Sequence, residues 1–160
     1  MIRPFRSETE RYGDYSKAGE YVYDHPFQWG SKRIGPDLFR EGVLTSPNHK
    51  SDSWHYTHFM DPRKINAQSI MPKYPWLGTD EIDVLSTPKK IRVLQMLGVP
   101  YPKDYDKIAN DDLKAQAEKI ASGLKAQGID VAANKEVIAL IAYIQRLGTD
   151  VGNSKTALNN

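Results

Sequence analysis

Helical periodicity is confined to the second half of this chain. Thr87 followed by Pro88 reads as an N-cap with proline at the first helical position, and a helix is expected to run from there to Gly98. Ile91, Leu94 and Leu97 lie along one face of it. Pro100 and Pro102 then keep the chain extended. Asn110 is placed to cap a second helix, with Leu113, Ala117, Ile120 and Leu124 as its stripe and Gly128 as its terminator. Asn134 is placed to cap a third, in which Val137, Ile138, Leu140, Ile141, Ile144 and Leu147 are apolar before Gly148. Those positions cover more than one face, so this last helix is expected to be buried against two neighbours. The tail over 149–160 is polar and expected to fray.

Residues 1–76 read differently, with little sustained periodicity of either kind and no helical lead-in. They hold 13 of the 16 aromatic side chains and seven of the ten prolines, so their burial has to be irregular. Tyr12, Tyr15, Tyr21, Tyr23, Phe27 and Trp29 crowd a segment broken by Gly13, Gly19, Pro26 and Gly30. Rings in such a segment must be covered by something other than a helix stripe or a sheet face. A flat apolar cofactor, a partner protein or the other half of the chain would each serve. One short helix is expected over 54–60, capped by Ser51 or Ser53 and ended by Asp61-Pro62. A short turn is expected near Asp37, after Gly35-Pro36. With no strand pattern and no internal repeat, the architecture reads as small and all-α.

Composition narrows the function. A length of 160 residues suits one domain over 1–148 followed by the polar tail. Twenty-two basic against twenty acidic residues, interleaved along the chain, give +2 and argue against a nucleic-acid partner. The absence of cysteine removes disulfides, thiolate metal sites and cysteine nucleophiles together. The longest apolar run, over 137–144, has eight residues, far short of the roughly 18 that a spanning helix needs. The first residues lack the apolar stretch of a secretory signal.

Candidate chemistry is sparse. Of His25, His49, His55 and His58, the last two stand three apart on the expected helix, close enough to share a metal, but no third ligand stands at an informative spacing. His25, between Asp24 and Pro26, reads as a structural histidine. There is no nucleophile elbow and no glycine-rich phosphate loop, and acidic pairs such as Asp80-Glu81 and Asp111-Asp112 fit helix starts or polar loops. No enzymatic activity of its own is expected. The stretch Ser69-Ile70-Met71-Pro72-Lys73-Tyr74-Pro75-Trp76 is the exception to this plainness. Its two prolines keep Met71 and Tyr74 out of a helix and present a thioether on a stiff loop. That sulfur is either gap-filling core or an axial ligand to a haem iron.

Several longer runs are specific. Met1-Ile2-Arg3-Pro4-Phe5-Arg6-Ser7-Glu8-Thr9-Glu10-Arg11-Tyr12-Gly13, Tyr23-Asp24-His25-Pro26-Phe27-Gln28-Trp29-Gly30-Ser31-Lys32-Arg33 and Gly35-Pro36-Asp37-Leu38 stand in that order. Trp54-His55, Asp61-Pro62-Arg63 and Met71-Pro72-x-Tyr74-Pro75-Trp76-Leu77 follow them. Together they closely resemble the mono-haem cytochrome c subunit (subunit II) of cbb3-type cytochrome oxidases. Ile141-Ala142-Tyr143-Ile144-Gln145-x-Leu147-Gly148 is similar to the closing helix of class I cytochromes c.

The resemblance implies a class I cytochrome c-like domain, truncated and with a long irregular N-terminal half. Met71 matches the methionine that ligates the haem iron, and Pro36 the proline whose carbonyl accepts the proximal histidine's second N–H. Leu38, Trp54, Tyr74 and Trp76 would wall the haem, and Arg3, Arg6 and Lys32-Arg33 would face the propionates or the catalytic subunit. The implied role is to relay electrons through haem c toward the oxygen-reducing subunit, beside catalytic and di-haem subunits, on the periplasmic face of the bacterial inner membrane. In the family, a Cys-x-x-Cys-His attachment motif lies just upstream of the residues matching Met1 and follows an N-terminal membrane helix; these 160 residues hold neither. The chain is therefore expected to be the C-terminal portion of the subunit, begun at an internal methionine. Alone it is expected to bind little or no haem, to reach the membrane only through that helix, and to self-associate through surface left apolar. The competing reading is a cofactor-free helical protein-binding module.

Overall fold

Local backbone signals place most of the helices, and tertiary packing shifts their ends. The computed structural model describes residues 2–23, 29, 38 and 40–149. It divides into two units, Met1–Lys50 with Tyr143–Asn160, and Ser51–Ala142.

The first unit carries α1, Arg6–Tyr12, and the second unit opens with α2, Asp52–Met60. Ser51 caps α2 as expected, its hydroxyl accepting the Trp54 N–H at 3.2 Å. Asp61 ends it, donating its N–H to the Thr57 carbonyl at 2.8 Å, and Pro62 opens the following 3-10 turn, Pro62–Lys64. A short α3, Trp76–Thr79, precedes α4, Thr87–Met96, α5, Tyr105–Ala126, and α6, Glu136–Arg146. The core joins Ala117 and Leu124 of α5 to Val137, Ile138 and Ile141 of α6. Tyr56, Phe59 and Met60 of α2 and Leu77 of α3 pack against it. Each fully buried Leu, Ile or Val there contributes about 1.5–3 kcal/mol of transfer free energy.

Three helix starts differ from expectation. α4 takes Ser86 rather than Thr87 as its N-cap, with the Ser86 N–H donating to Asp83 Oδ1 at 3.2 Å. α5 begins at Tyr105, five residues ahead of Asn110. Its buried Ala109 extends the Leu113–Ala117 stripe back by a turn, so packing holds Asn110 inside the helix against its capping preference. α6 begins at Glu136 rather than after Asn134. The Asn134 carbonyl instead accepts the Ile82 N–H at 3.0 Å, and Lys135 pairs with Glu81 in an isolated bridge, the β pairing among the described residues. Gly98, Gly128 and Gly148 all stand at positive φ after their helices, which is why glycine terminates each of them.

The first unit holds the helix that periodicity does not reveal. α1, Arg-Ser-Glu-Thr-Glu-Arg-Tyr, has no apolar stripe; an Arg6–Glu10 pair at 2.7 Å and Glu8 in its first turn support it. Glu8 is buried and bonded by the Arg3 side chain and by the Arg3 N–H at 2.9 Å. Ile2 is 1% exposed and exchanges bonds with Ser16, its N–H donating to Ser16 Oγ at 2.6 Å and its carbonyl accepting the Ser16 N–H at 2.8 Å. The 3-10 turn Ala18–Tyr21 buries Tyr21, whereas Tyr15, Tyr23 and Trp29 are exposed. Gly42 closes on the end of α6, donating its N–H to the Leu147 carbonyl at 3.1 Å. The turn expected near Asp37, Phe27 and the tail beyond Thr149 lie outside the described residues.

Candidate functional site

The proline-braced segment is fastened to the end of α2 from both sides of the chain. The Tyr74 N–H donates to the Phe59 carbonyl at 3.0 Å, and Lys73 Nζ bonds Asp61 Oδ2 at 2.9 Å. Within the segment, the Met71 N–H donates to Ser69 Oγ at 3.3 Å. Pro72 and Pro75 restrict the backbone on either side of these contacts, and Pro75 turns the chain into α3. Met71 is half-buried, while its neighbour Ile70 is fully exposed. The Lys73 bond holds the Asp61 carboxyl below the usual carboxylate range, so this carboxylate is ionised at neutral pH.

Five rings run together beside this loop. Trp54 stacks on His58 at 4.6 Å, His58 meets Phe59 edge-on at 5.7 Å, Phe59 meets Tyr74 at 6.5 Å, and Tyr74 meets Trp76 at 5.3 Å. Edge and offset contacts of this kind are worth about 0.5–1.5 kcal/mol each beyond burial and hold the rings in register. Trp54, Tyr74 and Trp76 are thus brought together, and His58 and Phe59 are the links that sequence reasoning missed. The four-residue spacing of His58 from Trp54 on one short helix was the available signal for the first link, and nothing in the spacing signalled Phe59. Burial lowers the His58 pKa, which keeps the stacked imidazole neutral.

The remaining candidates fall elsewhere. His55 is 3% exposed and meets Trp54 edge-on at 5.3 Å. Among the described residues, no group of three or more His, Cys, Asp or Glu is placed to hold a metal ion, so the His55–His58 spacing gains no third ligand. His49 Nδ1 bonds the Glu41 carbonyl at 2.9 Å within the first unit. Leu38 belongs to that unit and is 48% exposed. Arg3 is engaged by Glu8 and Arg6 by Glu10. Pro36, His25 and Lys32-Arg33 lie outside the described residues.

The donor chemistry fits one axial position of a haem. A thioether is the soft, neutral ligand that haem iron accepts, and two rings of the ribbon, Tyr74 and Trp76, follow Met71 on the same short stretch of chain. The covalent anchor does not come from these residues, because none of the 160 is a cysteine. No curated relative matches the chain. A family model described as cytochrome C oxidase, mono-heme subunit/FixO matches residues 1–151, and the chain therefore belongs to the family of mono-haem subunits of cytochrome c oxidase.

Proposed function

We propose that the chain serves as the electron-relaying portion of the mono-haem subunit of a cbb3-type oxidase, with the Met71 sulfur as one axial ligand to haem c. The observation that carries this reading is the double fastening of the Met71 loop, by Lys73 to Asp61 and by Tyr74 to Phe59, next to a continuous ring ribbon. A loop that merely filled a core gap would need neither a charged clamp nor an exposed Ile70 beside it. When bound, the haem supplies one-electron redox chemistry. The chain's own part is to hold the thioether in place and to exclude water with Trp54, Tyr74 and Trp76. A thioether favours the ferrous state and so sets a high potential. The thioether bonds to the porphyrin are made in this reading by cysteines outside the 160 residues.

The family name supports oxidase subunits as partners. The finer assignment is to the catalytic and di-haem subunits, on the periplasmic side of the membrane, with electrons passing toward the oxygen-reducing centre. A redox titration of the assembled oxidase tests the ligand assignment. Met71→His is expected to lower the midpoint potential of the subunit's haem, since an imidazole stabilises ferric iron better than a thioether does. A potential that does not move would refute it. An oxidase in which this subunit carries no haem at all would favour the cofactor-free binding module instead.

A further inference from the structure

The second unit leaves one helix face uncovered, and its chemistry is unlike the rest of the chain. α4 packs on α5 through buried Ile91 and half-buried Leu94. Residues three and four apart share a helix face, so the side opposite Ile91 is made of Lys89, Val93, Met96 and Leu97. Val93, Met96 and Leu97 are 41%, 78% and 56% exposed, and Leu85, just ahead of the helix, is 90% exposed. Lys90 and Arg92 fall on the two edges of this apolar stripe. A shallow groove of about 580 Å³ runs along it, lined by Lys89, Arg92, Val93, Gln95 and Met96.

Charge selects what covers the stripe. Residues 85–103 carry four cations, Lys89, Lys90, Arg92 and Lys103, and no acid, whereas the other residues carry 18 basic against 20 acidic, Asp83 beside Lys90 and Asp106 beside Arg92 among them. Arg92 reaches Asp106 at 3.4 Å yet keeps its side chain 60% exposed. Lysine and arginine at the edges of an apolar stripe lay their stems along it and lift their charges to the level of phosphates, while the stripe enters the headgroup boundary. A groove this open, carried on one helix and without an aromatic anchor, suits that layered surface better than a protein hot spot. The family's oxidase works in a membrane, and among the described residues no helix is long and apolar enough to cross one. We propose that the exposed face of α4 is a lipid-contact surface that lies on the anionic headgroups of a bilayer.

Vesicle flotation with the full chain tests this without haem, so its failure would leave the reading of Met71 standing. Binding is expected to phosphatidylcholine vesicles carrying about a third phosphatidylglycerol, and not to phosphatidylcholine alone. It should fade with salt, because exposed charges are screened beyond roughly 10 Å at 0.1 M. Lys89→Glu with Lys90→Glu is expected to weaken binding at least about 25-fold, from roughly fivefold per cation at an anionic surface. Glutamate suits the first turns of a helix, so this pair should leave the fold intact, which circular dichroism checks. Met96→Ser with Leu97→Ser should also weaken binding while keeping its salt dependence. Equal uptake by neutral vesicles, no uptake by anionic ones, or uptake indifferent to the lysine reversals would each overturn the proposal. So would self-association that Met96→Ser abolishes in the absence of lipid, which would make a second copy of the chain the occupant.

Discussion

Gly42→Ala offers a sharp test of the first unit, because its effect follows from a single close approach. A Cβ at Gly42 would fall well inside contact with the carbonyl carbon and oxygen of Gln145 and within 3.1 Å of the Arg146 nitrogen. All three are backbone atoms at the end of α6, so no side chain can swing aside. The Gly42 N–H is also bonded to the Leu147 carbonyl at 3.1 Å, and moving the turn away to relieve the clash breaks that bond. Overpacking typically costs 1–3 kcal/mol, and losing the hydrogen bond adds about 1 kcal/mol, for a total of roughly 3 kcal/mol. Gly19 is the matched control, since a Cβ there meets nothing within 4 Å. Gly19→Ala should be neutral or stabilising by up to about 1 kcal/mol through the unfolded state. Urea unfolding of both variants, with hydrogen exchange at the amides that follow Arg146, separates the two outcomes. If Gly42→Ala unfolds at the same urea concentration as Gly19→Ala, the close packing of residue 42 on α6 is not real.

Three further outcomes follow from other parts of the molecule. Ile138→Ala, at a position with no exposed surface in the α5–α6 core, should cost about 2–5 kcal/mol in thermal or urea unfolding. His58 has its pKa lowered by burial, so the unfolded chain takes up the proton first as pH falls below the ordinary value of 6.5. Its contribution is therefore complete above 6.5 and is lost as pH drops through the folded pKa; His58→Phe should flatten that part of the stability profile measured by urea titration at successive pH values. Breaking the Lys73–Asp61 bond with Lys73→Met should raise the exchange rate of the Tyr74 amide and leave exchange in the α5–α6 core unchanged. Equal rates in the parent and variant chains would mean that the pair does not fasten the loop.

What the sequence made legible was whatever depends on local rules. Ser51 before Trp54, Pro62 after Asp61, and glycines 98, 128 and 148 placed helix ends by steric and capping preferences that no tertiary contact overrides. Asn110 and Asn134 misled for one reason: a capping preference of about 1 kcal/mol yields where packing on Ala109 or a bridge to Glu81 supplies more. α1 escaped notice because its support is electrostatic, through Arg3, Glu8, Arg6 and Glu10, and leaves no apolar period to detect. At the candidate site, the prolines around Met71 announced a stiff loop. Its fastening to Asp61 and Phe59 joins residues up to 15 positions apart and needed coordinates to see. Likewise Trp54, Tyr74 and Trp76 could be named from sequence, but the bridging rings of His58 and Phe59 are a property of how α2 meets the loop.

The proposal rests on one particular sulfur, that of Met71 among four methionines, facing a haem iron in the haem-loaded subunit. Proton NMR of the reduced, haem-loaded subunit reads this directly, because the porphyrin ring current moves the methyl of an axial methionine far upfield of every other methyl. The expected spectrum has one such resonance from these residues, and Met71→Ala removes it while Met60→Leu and Met96→Leu leave it in place. An upfield methyl that survives Met71→Ala would contradict the claim.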